Sequence, residues 1–309
     1  MLSQQMIIDG TALSKRLRDR LKQQIQNLRQ SSKSALHDPP HLVAILVGSD
    51  AASQVYIRMK EKACLEVGIH FTLIKMDSDS TTHQVVEQVK YVNNRPDVHG
   101  CLVQLPMPKQ IDQDSVIHAI SPLKDVDCFH PENIGLMSLN QSRFIPATPY
   151  GIQLMLEDLK IPTKGKHCVI VGKSLIVGQP LMNLLSLESG AAATVTCCDR
   201  YTEDLSFHTR SADILIVAAG VHHLIKDPDS IKQGATVIDV GIHRIPDETK
   251  KSGYRLEGDV DFVKISPKCS FITPVPGGVG PMTVVSLLYN TFKSYLKFSE
   301  SPVSTPSTV

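Results

Sequence analysis

The sequence predicts an α/β fold built on parallel sheets and laid out as two successive strand–helix regions. Three observations carry that prediction. Continuous apolar runs of strand length recur, such as Leu42-Val43-Ala44-Ile45-Leu46-Val47 and Cys168-Val169-Ile170-Val171. Each of these two runs ends at a glycine, Gly48 or Gly172, as expected of a strand buried on both faces that turns into a helix. Segments of helical period separate the runs, so strands and helices alternate.

The elements follow in order. From Ile7 to about Arg29, Leu13, Leu17, Leu21, Ile25 and Leu28 recur every three or four positions, the period of an amphipathic helix. Residues 31–40 are a polar loop closed by prolines. The run 42–47 predicts a strand, followed by a helix at about 51–67, a strand at 70–75, a helix at 82–93 and a strand over Gly100–Leu105. The second region repeats this logic. It has a helix over Tyr150–Leu159, a strand over Cys168–Gly172 and a helix at 178–188. Strands follow over Ala193–Cys197, Ile214–Ala218 and Ala235–Val240. A boundary is placed near Ala147-Thr148-Pro149. Residues 282–297 regain a helical pattern and are expected to return to the first region. The Ser/Pro/Thr-rich end, 298–309, is expected to be disordered. The expected domains are therefore 1–148, 149–281, the helix 282–297 and the tail 298–309.

Composition narrows the function. At 309 residues the chain has room for two domains. A formal net charge of +1 gives no basic surplus for nucleic acid or an anionic membrane. No apolar run approaches the roughly 20 residues that span a bilayer, and the N-terminus does not read as a secretory signal. The seven cysteines are odd in number and form no C-x-x-C pair or Cys/His ligand pattern. That usage fits a reduced, cytoplasmic setting, argues against structural zinc and leads us to expect no metal. Cys197 and Cys198 read as strand residues rather than a redox pair.

The most distinctive stretch is Thr273-Pro274-Val275-Pro276-Gly277-Gly278-Val279-Gly280-Pro281-Met282-Thr283. It has three glycines, three prolines and no charge. Few donors and special backbone angles make a rigid turn, or a wall set close against a flat ligand. A second candidate is Gly172-Lys173-Ser174-Leu175-Ile176-Val177-Gly178, a strand end leading into a helix start, where parallel sheets hold phosphate. Its spacing departs from G-x-G-x-x-G, since Ser174 takes the second glycine position and the last glycine comes one residue late. A tight turn with no ligand remains the plain alternative. At the next strand end, Asp199-Arg200 offers both an acid for a free ribose hydroxyl and a cation for a 2′-phosphate. Lys173 and Arg200 together, with Ser174 as hydroxyl donor, favour NADP over NAD; Asp199 is then left facing solvent.

In the first region Tyr56 and Lys60 share a helix face at i, i+4. Gln104 lies at the carboxyl end of a strand, and Lys124-Asp125-Val126-Asp127 follows a polar loop. One lysine, one tyrosine, one glutamine and one or two aspartates are thus expected at one cleft edge.

These residues sit in stretches that resemble the bifunctional methylenetetrahydrofolate dehydrogenase/methenyltetrahydrofolate cyclohydrolase family of the bacterial FolD type. The stretches are YIRMKEKACLEVGI, VQLPMP, KDVDCFHPENIG, PATPYGI, VGKSLIVGQP, GDVDF and TPVPGGVGPMT, and the likeness runs from about Ile7 to Leu296. The resemblance implies an N-terminal three-layer α/β domain, a C-terminal Rossmann-like doubly wound parallel sheet, and a folate cleft between them. It implies a cytoplasmic homodimer that uses NADP and a folate substrate, with no nucleic acid, membrane or metal. It makes Lys60 the catalytic lysine, has Tyr56 stack on the substrate ring, has Gln104 hold the lysine, and has Asp127 anchor the pterin. Ser53, Pro274, Gly277 and Gly278 become substrate contacts. Gly172, Lys173, Ser174, Ile176, Val177, Arg200, Ile242 and Thr283 become cofactor contacts. A lysine near a cationic substrate loses its proton more readily, which suits an acid–base role. A monofunctional dehydrogenase and a non-catalytic nucleotide-binding module are the competing expectations. Three positions depart from the family pattern. Cys128 stands where glycine is usual, Lys173 where arginine is common, and Arg200 where serine is common. If the Cys128 position needs a positive φ, cysteine costs about 1–2 kcal/mol there.

Overall fold

The computed structural model describes residues 6–30, 38–250 and 253–300. In chain order its first elements are β1 (Met6–Ile7), α1 (Gly10–Gln30), β2 (His41–Val47), α2 (Ala51–Val67), β3 (His70–Met76), α3 (Thr82–Asn93), β4 (Gly100–Val103), α4 (Gln113–Ala119) and α5 (Pro131–Ser138). There follow α6 (Ala147–Asp158), β5 (His167–Val171), α7 (Gly178–Ser186), β6 (Thr194–Cys198), α8 (Leu205–Thr209), β7 (Ile214–Val217), β8 (Thr236–Asp239) and β9 (His243–Pro246). The last are β10 (Tyr254–Glu257), α9 (Phe262–Ile265), β11 (Phe271–Ile272) and α10 (Val279–Glu300). The described residues divide into two compact units, 16–136 with 142–145 and 287–300, and 6–15 with 137–141 and 146–286.

The first unit holds a three-stranded parallel sheet in the order β3-β2-β4. All seven residues of β2 are buried, as a central parallel strand requires. Val43, Ile45 and Val47 pack with Val85, Val89 and Val92 of α3. Local signals start and stop the helices. Asp50 accepts from Ser53 N at 2.8 Å ahead of α2, and Gly68 ends it at φ 86°. Thr81 and Gln84 form a reciprocal capping box at α3. Late in α10, Asn290 donates to Val126 O and Ile145 O at 2.8 Å each, and Ser294 to His99 O and Leu123 O.

The second unit holds a six-stranded sheet in the order β1-β11-β8-β7-β5-β6, parallel throughout. The chain leaves β5 for β6 on one side and returns to β7 on the other, so β5 and β7 flank the switch point where such sheets bind ligands. Val169, Val171, Leu215, Val217 and Val237 form its core. An antiparallel hairpin pairs β9 with β10.

The structure shifts several expected boundaries. Ile7 lies in β1, paired with Ile272, and α1 begins only at Gly10. A Cβ at Gly10 would sit 1.8 Å from Gly278 O, so backbone passes backbone there and no larger residue fits. Helix α10 spans Val279–Glu300, which makes 298–300 helical; the rest of the expected tail, 301–309, lies outside the described residues. The expected strand ends at Leu105, Gly172, Ala218 and Val240 are loop, because the ladders stop at Val103, Val171, Val217 and Asp239. No described helix is long and apolar enough to cross a membrane.

Candidate active site

In the three-stranded unit the sequence-predicted side chains gather at the carboxyl ends of β2 and β4. Helix α2 starts three residues beyond Gly48 and packs on β2 and β3, and Lys60 on its third turn reaches Gln104 just past β4. Lys60 Nζ donates to Gln104 Oε1 at 3.1 Å. Gln104 is buried and held at both ends, its backbone N–H on Ile45 O at 2.8 Å and its Nε2 on Leu105 O at 2.6 Å. A fixed carbonyl oxygen thus aims the flexible lysine, while Lys60 itself stays partly open to solvent. One turn earlier on the same helix Tyr56 is 48% exposed, which leaves its ring free for a stacking partner. Ser53 Oγ is buried, and among the described residues it has no hydrogen-bond partner. The Asp50 carboxylate that caps α2 lies near enough for Ser53 to help hold its pKa down, after the backbone hydrogen bond from Ser53 N.

The segment after α4 lies beside β4, with Cys101 N donating to Lys124 O at 2.7 Å. The structure separates the four residues Lys124–Asp127 by role. Lys124 turns inward and donates to the carbonyls of Asn93 at 2.7 Å, Arg95 at 2.6 Å and Val92 at 3.3 Å. Burial pushes its pKa down to about 8. Asp125 is also buried, accepting from the N–H groups of Phe129 and His130 and from Asn133 Nδ2 at 2.8 Å. Burial raises its pKa against those hydrogen bonds. Both side chains are therefore committed to holding the loop, whereas among the described residues no such set of hydrogen bonds ties down Asp127. Asp127 is half-buried and borders a small cavity together with Asp125, Leu105, Met107 and Phe129. Cys128 adopts φ 60°, in the left-handed region that glycine favours. Its thiol is buried and sits 3.4 Å from Phe144 O, a contact that helps offset the strain.

The second unit carries the dinucleotide features. Gly172 has φ 116°, and a Cβ there would lie 2.1 Å from Ala218 O; a Cβ at Gly178 would lie 1.9 Å from Gly172 O. The two glycines are thus required for the turn to fold under the end of β7. Val177 caps α7 without a side-chain hydrogen bond; Gln179 N donates to Ser174 O at 3.1 Å and Pro180 carries no N–H, so within the first three positions only Gly178 can offer its N–H to an anion. Lys173, Ser174 and Ile176 are exposed beside them and Val177 is half-buried. Lys173 Nζ pairs with Asp199 Oδ2 at 3.2 Å. Asp199 also accepts from Tyr201 N at 3.0 Å; that backbone hydrogen bond first, and Lys173 second, hold its carboxyl below the usual range. Asp199 is therefore engaged with Lys173 rather than simply turned to solvent. Arg200 lies over the Tyr201 ring at 4.8 Å and donates to its hydroxyl at 2.9 Å. The donor set, Lys173 and Arg200 beside the exposed Ser174, fits a phosphorylated dinucleotide.

Thr273 is buried, and its Oγ1 accepts from Asp239 N at 2.7 Å. From there the Pro/Gly stretch turns sharply, with Gly277 at φ 101° and its carbonyl accepting from Thr11 N at 3.1 Å. A Cβ at Gly278 would meet Pro274 O at 2.5 Å. Pro274 is half-buried, while Ile242 is exposed just beyond β8. Thr283 spends its hydroxyl proton on Gly280 O at 2.8 Å inside α10.

Three residues at the nucleotide end were not singled out from the sequence. Asp259 is fully buried; its Oδ2 accepts from Ala219 N at 2.7 Å and Gly220 N at 2.9 Å, and its Oδ1 bonds His243 Nε2 at 2.7 Å. Asp239 accepts from the N–H groups of Gly241, Asp259 and Val260, and burial lifts its pKa to about 6. For Gly258 and Asp259 the signal was present in the stretch GDVDF. Gly258 is needed because a Cβ there would strike Asp239 Oδ2 at 1.8 Å, and Asp259 ties down the loop after β7.

The sequence profile of the tetrahydrofolate dehydrogenase/cyclohydrolase catalytic domain matches residues 8–127, and that of the NAD(P)-binding domain of the same family matches residues 146–299. The chain belongs to the tetrahydrofolate dehydrogenase/cyclohydrolase family. Among curated proteins it is 48% identical over 296 residues to the "Bifunctional protein FolD" of Chlorobium phaeobacteroides, covering 95% of this chain and 99% of that one. Among solved structures, the FolD methylenetetrahydrofolate dehydrogenase/cyclohydrolase of Campylobacter jejuni superposes with a TM-score of 0.87 at 41% identity, covering 95% of this chain and 99% of that one. The Trypanosoma brucei enzyme, solved with NADP and an inhibitor, gives 0.87 at 34% identity over 95% and 98%.

Proposed function

We propose that this family member oxidises 5,10-methylenetetrahydrofolate to 5,10-methenyltetrahydrofolate with NADP and hydrolyses the product to 10-formyltetrahydrofolate. The Lys60–Gln104 pair carries the second step of this reading, because a dehydrogenase alone has no need of a positioned amine. Residues 1–148 are assigned to the folate and residues 149–281 to the dinucleotide, with the helix 282–297 returning to the folate domain. A bound nicotinamide dinucleotide supplies the hydride acceptor. The chain itself binds and orients. Tyr56 stacks on the aminobenzoate ring, Asp127 accepts two N–H groups from the pterin edge, and Ser53 Oγ gains a polar partner. Pro274, Gly277 and Gly278 form a rigid wall for the substrate. Gly172, Lys173, Ser174, Ile176, Val177, Arg200, Ile242 and Thr283 receive the dinucleotide, and Arg200 selects the 2′-phosphate.

In the hydrolytic step water attacks the bridge carbon of the methenyl cation. Lys60, as the amine, takes the proton that the water releases, with Gln104 Oε1 fixing the direction of its lone pair. The bond from the bridge carbon to N5 then breaks. The Lys60 ammonium returns a proton to N5, and the hydroxyl proton leaves as the formyl group forms. No second nucleophile is needed. A cytoplasmic homodimer completes the reading on family resemblance, and light scattering at micromolar concentration tests the dimer. The whole is tested by one coupled assay. Purified protein is given methylenetetrahydrofolate with NADP or NAD, and reduced nicotinamide and methenyl absorbance are followed together. NADP reduction with only transient methenyl absorbance is expected. Methenyltetrahydrofolate that accumulates and decays only at its spontaneous rate would indicate a monofunctional dehydrogenase.

A further inference from the structure

We propose that His222, His223 and Glu257 form a divalent-cation site of the zinc class that staples the segment after β7 to the end of β10. One ring nitrogen from each histidine and one carboxylate oxygen lie within 4.8 Å of one another. Both imidazoles converge on the same oxygen, with His222 Nε2 2.5 Å and His223 Nε2 3.2 Å from Glu257 Oε2. A single ion pair would account for one histidine on this carboxylate. Two nitrogens on one oxygen instead form three corners of a coordination shell. Tetrahedral zinc, with bonds of about 2.0–2.1 Å, needs donors roughly 3.3 Å apart, so the cation seats after a small outward movement. The two rings stack at 3.8 Å with 23° between their planes, so binding requires them to turn about their side-chain torsions until both lone pairs point at the ion.

The surroundings orient the carboxylate and leave the imidazoles room to turn. Glu257 Oε1 accepts from Arg255 Nε at 2.6 Å, which leaves Oε2 for the histidines. Asp261 Oδ2 lies 3.9 Å from His223 Nδ1, on the side from which an imidazole that binds through Nε2 is oriented. His243 meets His222 edge-on at 5.6 Å, but its Nε2 is already bonded to Asp259, so it is not a ligand. His222 is exposed, so an ion enters from solvent and water completes the shell. Two imidazoles with one carboxylate suit zinc and exclude the all-oxygen preference of calcium or magnesium. The ion would stiffen the loop that begins with Ala219 and Gly220 on Asp259, at the mouth of the switch point. It takes no part in hydride transfer or hydrolysis.

The test uses tag-free, full-length protein stripped with EDTA and titrated with zinc alone by calorimetry, and with cobalt(II) by absorption. One zinc per chain with a micromolar dissociation constant is expected. A cobalt spectrum without a thiolate charge-transfer band, and a melting temperature that rises with zinc, are expected with it. His222→Ala combined with His223→Ala should weaken binding at least 100-fold. Glu257→Gln, which keeps size and a hydrogen bond to Arg255, should weaken it about 10-fold and serves if the double variant fails to fold in EDTA. Binding of parent affinity in these variants, no saturable binding below millimolar zinc, or a thiolate band that places the metal on cysteine would each overturn the proposal.

Discussion

Replacing Asp259 tests how the dinucleotide end of the second unit is held. Asp259→Ala removes acceptors from Ala219 N, Gly220 N and His243 Nε2, all at 2.7–2.9 Å and all on a carboxylate with no solvent exposure. Hydrogen bonds to a charged acceptor are worth about 1.5–3 kcal/mol each, and an unsatisfied buried N–H costs about 1–3 kcal/mol. The backbone donors are only part-buried and recover some water, so the loss should come to about 4 kcal/mol. Asp259→Asn keeps one oxygen for the two N–H groups and presents its amide to the other His243 tautomer, so it should lose only about 1 kcal/mol. Urea unfolding followed by fluorescence or circular dichroism measures both. With a slope of about 2 kcal/mol per molar, the alanine midpoint falls by roughly 2 M and the asparagine midpoint by roughly 0.5 M. The loop it anchors follows Ala218, whose carbonyl packs on Gly172, so NADP affinity should fall about 10-fold in the alanine variant. An alanine variant with the parent midpoint and parent NADP affinity would refute the assignment of the loop's anchorage to Asp259.

Three further outcomes are expected. Arg200→Ala should raise the KM for NADP about 10-fold and leave that for NAD nearly unchanged, and an unchanged NADP preference removes Arg200 from the role. Asp127→Ala should raise the KM for methylenetetrahydrofolate by 10-fold or more with the NADP Kd intact; equal folate affinity in both proteins counts against the pterin contact. Acid should weaken the three-stranded unit through His99, whose Nδ1 accepts from His41 N at 3.1 Å and whose pKa burial pushes down to about 4. The unfolded imidazole takes its proton near 6.5, so the unfolded state binds more protons between the two values. Stability is then complete above about pH 6.5 and falls as pH drops toward 4, by about 3 kcal/mol in all. His41, Asp97 and Lys124 face the same ring, so His99→Gln is the control, and its unfolding midpoint should be the flatter of the two between pH 7 and pH 4.5.

The long elements were legible because burial on both faces imposes an unbroken apolar run, as in β2 and β5, and because α3 carries its own capping signal. Short elements were not. Helices α4, α5, α8 and α9 complete too few turns for a period to register, and the β9–β10 strands alternate over only four residues each. The start of α1 at Gly10 rather than Ile7 is not legible, because two residues of strand carry no pattern of their own, while pairing with Ile272 decides the state of Ile7. At the site, the Lys60–Gln104 contact was implied by the family resemblance, while parallel-sheet geometry by itself placed the two residues only at one common edge. The division of labour between Asp125 and Asp127 could not. It depends on which carboxylate Asn133 and two backbone N–H groups claim, and nothing in the spacing of KDVDCFHP states that. The His222-His223-Glu257 group was hidden for the same reason, because its members come from separate segments brought together by the His223 N to Gly258 O hydrogen bond and the Ile225–Val260 bridge.

The most direct measurement is single-turnover hydrolysis of methenyltetrahydrofolate by Lys60→Met, run beside calorimetric titration with NADP. Loss of enzymatic hydrolysis by 1,000-fold or more with an unchanged NADP dissociation constant is expected, since only the amine held on Gln104 has been removed. Hydrolysis by the variant at near-parent rate would contradict the role given to that amine.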